Sequence, residues 1–225
     1  MTINNNSHNI KFSQQADDTT LILKNKPEIA DAITIIEEFG TYSGLKLNKN
    51  KTEGLWLGKR RISDTKFHDI QFKNDYVKAL GVYFGHDDKL CLEKNWNDKV
   101  EEVKNLINLW NRRKLTFYGK ITIIKSTLLP KFTYLMQSTE TPTSIINLLN
   151  TLFYKFLWNN KSEKIKRLTL IGDKTKGGLE MVDLDIYQKT LKMKWIKSLT
   201  DTQFANWKLI PQYFFKPVWT KPFDI

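Results

Sequence analysis

Trp96, Val100, Val103, Ile107 and Trp110 recur at intervals of 4, 3, 4 and 3 residues. That spacing lines five large apolar side chains along one face of an α-helix and commits the middle of the chain to burying it. Such a stripe faces a core more often than it stacks on bases, so both tryptophans are expected as core anchors. A basic turn follows, Arg112-Arg113-Lys114. Thr116 is placed to cap a second helix, with Ile121, Ile124 and Leu128 as apolar positions, until Pro130 bends or ends it. Lys120 and Lys125 are expected to project from that helix. Farther on, Ile145, Leu148, Leu149, Leu152, Phe153 and Phe156 suggest a buried helix running toward Trp158. Residues 161–167 form a basic, exposed connection, and Gly177-Gly178 a turn. Residues 187–199 form a helix with Leu191 and Trp195 inward. The tail 211–225 carries three prolines and several aromatics and is expected to be irregular.

The N-terminal part follows another pattern. Ile10, Phe12 and Gln14 face one way along a strand, Leu21 and Leu23 return along a second, and Asp17-Asp18 falls at the turn, where Asp is favoured. Most Asp-Asp pairs are solvated turns. An acidic hairpin tip can also hold a divalent metal close to its backbone, although a two-metal site needs more carboxylates than this tip provides. Pro27 opens a helix with Glu28 near its positive end. Ile29, Ala32, Ile33, Ile36 and Phe39 follow on one face, and the helix stops before Gly44. Leu45-Lys46-Leu47 and Gly54-Leu55-Trp56-Leu57 are expected as short strands around the polar loop 48–52. Hairpin, helix, strand is the order of the second half of a ferredoxin-like β-α-β-β-α-β unit.

Charge separates the two parts again. The formal net charge is +12, yet residues 1–93 hold 13 basic and 13 acidic residues. All of the excess lies beyond residue 93, +6 of it within 94–131 and +6 within 155–197. A neutral lobe followed by a basic one is a pattern suited to gripping a polyanion. If about five phosphates are neutralised, affinity for a nucleic-acid duplex falls by about two to three orders of magnitude between roughly 50 and 200 mM salt. The rival expectation is a protein-interaction remnant whose lysines only keep it soluble.

Several motifs resemble one family in order along the chain. Gln15-Ala16-Asp17-Asp18-Thr19 resembles the aromatic-Ala-Asp-Asp-Thr motif of reverse transcriptases from LINE-type non-LTR retrotransposons. Tyr42-Ser43-Gly44-Leu45-Lys46-Leu47-Asn48, with Lys51-Thr52-Glu53, is similar to the next palm motif. Leu80-Gly81-Val82-Tyr83-Phe84 is similar to the hairpin that cradles the primer end. Trp110, Arg112, Leu115 and Gly119-Lys120 resemble the start of the thumb; Gly177-Gly178-Leu179, Tyr187 and Trp195 resemble the segment after it.

The resemblance implies an α+β chain, an incomplete ferredoxin-like palm (1–92) followed by a mainly α-helical thumb (93–157) and a basic helical segment with an irregular tail (158–225). It implies RNA-directed DNA synthesis, with Asp17 and Asp18 as catalytic residues and Mg²⁺ ligands. Two ions would clamp the entering and leaving oxygens about 4 Å apart. Lys51 corresponds to a lysine that could protonate pyrophosphate, although a solvated loop lysine is an equally good assignment. Gln15, Gly81, Arg112, Arg113, Lys120 and Lys125 are the expected contacts to RNA template and DNA primer.

Two departures count against activity in this chain alone. Gln15 replaces the usual Tyr or Phe beside the primer-terminal base pair, and the family's upstream motifs, with the other catalytic Asp and the fingers, are absent. The expected outcome is an inactive fragment that binds nucleic acid; deoxynucleotides would bind only if the missing half were supplied. The alternative is a non-catalytic basic helical module that binds RNA or DNA. One cysteine, Cys91, excludes an internal disulfide, and three histidines leave no credible zinc site. The polar start is no signal peptide, no apolar run approaches membrane-spanning length, and Lys59-Arg60-Arg61 is a short basic run. An intracellular, nuclear or cytoplasmic, non-secreted protein without a membrane partner is expected. Half a sheet would expose an edge and an apolar face, which favours aggregation.

Overall fold

A computed structural model describes residues 2–3, 8–9, 12–58, 65–203, 205–209 and 211. Ile10, Lys59-Arg60-Arg61 and the whole tail beyond 211 lie outside them. The chain is mixed α+β and divides into two compact units, Met1–Cys91 with Phe204–Ile225, and Leu92–Gln203.

Among the described residues the strands all lie in the first unit: β1 (Thr2–Ile3), β2 (His8–Asn9), β3 (Phe12–Gln15), β4 (Asp18–Leu21), β5 (Glu53–Leu55), β6 (Lys66–Phe67), β7 (Ile70–Lys73), β8 (Tyr76–Ala79) and β9 (Val82–Gly85). They form four small sheets, β1-β2, β3-β4, β5-β7-β6 and β8-β9. β5 runs parallel to β7, and every other pair is antiparallel. Helix α1 (Lys26–Ser43) starts where the sequence signals it. Asn25 accepts from the Glu28 amide at 2.9 Å, the Glu28 carboxylate accepts from the Lys24 amide at 3.0 Å, and Pro27 sits in the first turn. Gly44 ends the helix at φ 75°, a left-handed position that suits glycine.

The core of this unit joins Ile33 of α1 to Trp56, Ile70 and Phe72, with Ile29, Leu47 and Phe67 packed on it. The Trp56 and Phe72 rings stack 4.5 Å apart. Phe72 crosses directly over Gly54, its register partner, where any Cβ would collide with the ring. Two expectations change here. Residues 45–47 form no strand; Leu47 packs on the core, and only β5, which finds β7, becomes a strand. Phe39 is 58% exposed, because the core takes only Ile29 and Ile33 from α1. Phe39 joins Ile35, Tyr42, Phe12 and Ile22 among large apolar side chains left in solvent.

The second unit is helical. Helix α2 (Asp88–Asn111) enters it, followed by α3 (Phe117–Ile123), a π-helical turn (Ile124–Leu128), α4 (Pro130–Ser138), α5 (Thr143–Leu157), α6 (Arg167–Ile171) and α7 (Leu184–Thr200). Trp96, Val100, Val103 and Ile107 are buried as their spacing requires, and Trp110 is half-buried. The Trp96 indole donates to Glu140 O at 3.2 Å and its ring lies 6.1 Å from that of Phe132. Pro130 bends rather than ends its helix. It has no N–H to donate and its ring crowds the preceding turn, so the ladder widens ahead of it, with the Leu129 amide reaching Ile124 O at 2.8 Å. The extra residue turns both Leu128 and Leu129 into the core.

Helix α5 buries Ile146, Leu149, Phe153, Phe156 and Leu157, a face rotated slightly from the expected one, with Leu148 outward. Helices α4 and α7 are tied by Thr133 Oγ1 to Tyr187 OH at 2.8 Å and by the Trp195 indole donating to Gln137 O at 3.0 Å. Leu191 is buried as expected, but Trp195 keeps much of its ring exposed. No helix among the described residues is long and apolar enough to cross a membrane.

Glu102 of α2 accepts from Lys131 of α4 at 2.8 Å and from Lys99 at 2.8 Å. The hydrogen bond from Lys131, then that from Lys99, holds its carboxyl below the ordinary 4.5. A lowered folded-state value stabilises above pH 4.5 and loses that contribution as pH falls through the folded value. Glu102→Gln should therefore lower stability modestly at neutral pH and flatten the acid limb, so that the variant and the parent converge as pH falls below 4.5. Trp96→Ala should cost about 3–5 kcal/mol in chemical denaturation, whereas a base-stacking tryptophan would cost almost nothing.

Candidate nucleic-acid interface

The acidic tip forms as a two-residue turn. Gln15 pairs with Asp18, which leaves Ala16 and Asp17 as the loop, with Ala16 at φ 53° and its carbonyl accepting from Gln14 Nε2 at 3.0 Å. Asp17 is thus the tip residue and Asp18 opens β4, and every residue of the hairpin is exposed. Among the described residues no three His, Cys, Asp or Glu side chains gather as a metal cluster. Two adjacent carboxylates on one solvated hairpin do not fit a pair of Mg²⁺ ions, which need shared ligands from more than one segment. Lys51 lies on the exposed turn closed by its own amide and that of Thr52 donating to Asn48 O, both at 3.0 Å. No hydrogen bond or ion pair among the described residues joins it to Asp17 or Asp18. Gly81 sits at the tip of the β8–β9 hairpin beside Leu80, at φ 80° and 48°. Two positive φ values give the turn whose twist matches the strands, and glycine relieves one of them.

The basic turn between α2 and α3 is organised differently. The Arg112 amide reaches Leu109 O at 3.4 Å, that of Arg113 reaches Trp110 O at 3.0 Å, and that of Leu115 reaches Arg113 O at 2.9 Å. Thr116 caps α3 as expected, accepting from the Gly119 amide at 3.2 Å. Residues 111–116 and Asn159 line an open cleft of about 370 Å³. Arg112, Arg113 and Lys114 are exposed, and the Arg113 guanidinium lies 4.8 Å from the centre of the Trp110 ring. No carboxylate among the described residues pairs with any of the three. Elsewhere in this unit Lys99, Lys104, Lys131, Lys174, Lys189 and Arg167 are matched to acids.

Lys120 corrects the expectation that it projects. It is 3% exposed, and its ammonium donates to Phe156 O at 2.7 Å, to Leu157 O at 3.4 Å and to Asn159 Oδ1. At the end of α5 Phe156 O receives a long bond from the Asn159 amide, at 3.4 Å, Leu157 O receives none from an amide among the described residues, and both sit at the negative end of the helix dipole. A cation from α3 satisfies them, while burial pushes the Lys120 ammonium below lysine's ordinary value. Lys125 does reach the surface, but its ammonium donates to Glu180 O at 3.1 Å and lies 3.9 Å from the Glu180 carboxylate. The structure therefore brings Arg112 and Arg113 to one cleft and supports it through Lys120. It ties Lys125 to the loop after Gly177-Gly178.

Asn159 is the cleft residue that sequence reasoning missed. The signal for it was the pair Asn159-Asn160 after the α5 pattern, because Asn is the residue besides glycine that readily leaves a helix in the left-handed region. Both adopt it, at φ 52° and 57°.

Lys120→Met keeps the bulk of the stem but orphans Leu157 O and leaves Phe156 O with the long bond from the Asn159 amide. It should cost about 2–4 kcal/mol, the loss of charge-assisted hydrogen bonds to buried acceptors. An unchanged denaturation midpoint would show that water replaces the ammonium without penalty.

No protein-family model matches the chain. Over 118 residues it is 27% identical to a protein of Arabidopsis thaliana named as a ribonuclease H protein. The match takes in 50% of this chain and 19% of that protein, so the chain spans about a fifth of its relative's length.

Proposed function

We propose that the chain is the back half of the palm, the thumb and the following segment of a LINE-type reverse transcriptase, retaining nucleic-acid binding without polymerisation. The observation that carries binding is the cleft at the α2–α3 turn, where Arg112, Arg113 and Lys114 stand together without an acid partner. The ordered motif resemblance supports the ancestry, and similarity over half the chain to a protein named for ribonuclease H supports a place in nucleic-acid processing. In this role the hairpin of β3 and β4 is an edge of a ferredoxin-like palm, which accounts for apolar side chains left in solvent at Phe12 and Ile22. Asp17 and Asp18 would serve catalysis only beside a further carboxylate from another segment, and deoxynucleotide binding would need that segment too.

The three cations of the cleft grip backbone phosphate rather than base edges, so affinity follows salt and not sequence. Neutralising about three phosphates, rather than five, predicts a fall of roughly 40-fold in affinity for an RNA–DNA hybrid between about 50 and 200 mM salt. Substituting Arg112, Arg113 and Lys114 together by alanine should remove that salt dependence. Binding that ignores salt, or a triple variant that binds as well as the parent, would show the cleft to be only a solvated turn. Mg²⁺-dependent primer extension on an RNA template should give no product. Product formation abolished by Asp17→Asn would instead establish a working catalytic hairpin.

A further inference from the structure

Lys120 decides which end of the Asn159 amide a ligand meets. An ammonium can only donate, so the atom facing Lys120 Nζ must be the side-chain oxygen, and the amide orientation is fixed by its partner. What Asn159 then has left to offer the cleft is Nδ2, a donor of two hydrogens. Arg112, Arg113 and Lys114, which share the cleft, are donors without acceptor capacity. The backbone around Asn159 is fixed as well: its amide reaches Phe156 O at 3.4 Å, and the Asn160 amide reaches Lys155 O at 2.8 Å. Asn111, Leu115 and Thr116 complete the lining and carry no charge, so a cleft of about 370 Å³ with three side-chain cations and no carboxylate repels cations and selects an oxyanion.

We propose that this cleft is a phosphate site in which Asn159, oriented by Lys120, donates through Nδ2 to one phosphate oxygen while Arg112 and Arg113 neutralise its charge. The site takes a single phosphate group of a nucleic-acid strand. Only that source rests on the function proposed above; the oxyanion selectivity does not.

Asn159→Asp separates this role from a structural one. The aspartate keeps an oxygen for Lys120, so thermal stability should be equal or higher, but the donor facing the ligand becomes an anionic acceptor. Asn160→Asp places the same charge one exposed residue along and serves as the control. With the full chain and an RNA–DNA hybrid at low salt, Asn159→Asp should weaken binding by about tenfold or more, the loss of a charge-assisted hydrogen bond. Asn160→Asp, at an exposed position that does not line the cleft, should weaken it by less than about threefold, the effect of a neighbouring charge acting through water. Inorganic phosphate, titrated calorimetrically, should bind the parent and not Asn159→Asp.

Equal losses in the two variants, or none in Asn159→Asp, would overturn the proposal, as would phosphate binding that survives Asn159→Asp. Phosphate binding lost in Asn159→Asp, in a chain that ignores the hybrid, would uphold the cleft and reject the nucleic-acid function. Hybrid binding that depends on Arg112, Arg113 and Lys114 but not on Asn159 would do the reverse. Binding of neither probe would overturn both.

Discussion

The helical unit depends on one buried charge. Helix α5 ends with one carbonyl poorly served by an amide, Phe156 O, and one served by none among the described residues, Leu157 O, and the chain meets both with the ammonium of Lys120, brought from α3. A leucine at 120 would pack as well but would leave those oxygens desolvated and under-satisfied, a loss that apolar contact does not recover. The same ammonium takes the Asn159 side chain and so ties the turn after α5 to the helix that Thr116 caps. The cleft between these two turns keeps its shape because a cation inside the fold holds its far wall. The exposed cations of the cleft are different residues, Arg112, Arg113 and Lys114.

The two units solve burial unequally. In the helical unit, long apolar stripes on α2, α4 and α5 close over one another, and many surface lysines find acid partners. In the strand-bearing unit, a small cluster around Trp56 and Phe72 is all that α1 and the three-stranded sheet cover. Among the described residues the β3–β4 hairpin has no third strand, and a two-stranded ribbon exposed on both faces draws little stability from burial. Its two carboxylates are therefore held by a turn alone, whereas the basic cleft is held by helices on two sides. Catalysis asks for more precise placement than binding, so this difference in support argues for binding as the capacity the chain retains.

Local signals were legible and tertiary ones were not. The α1 caps, the Thr116 cap and the buried row from Trp96 to Ile107 follow from side chains a few residues apart. The direction of Lys120 does not, because nothing near it in sequence says that the end of α5 will lie beside it. Lysine at a helical position reads as solvated until its partners 36 to 39 residues away are placed. Residues 45–47 alternate like a strand yet gain no partner, since pairing is decided across the sheet and not along the chain. Pro130 announced a disturbance in its helix, but the choice between a break and a π turn was settled by the core's demand for both Leu128 and Leu129. The acidic tip was placed to within one residue, Asp17 in the turn and Asp18 in the strand. Its chemistry was not legible, because that depends on carboxylates from elsewhere.

The most direct test of binding centred on the basic cleft is a hydrogen-exchange footprint of the full chain with and without an RNA–DNA hybrid. Protection should concentrate on peptides spanning 109–120 and 157–161 and leave the hairpin 12–21 exchanging as in the free protein. Protection of the hairpin with no change at the α2–α3 turn would contradict it and return the acidic tip to the centre of function.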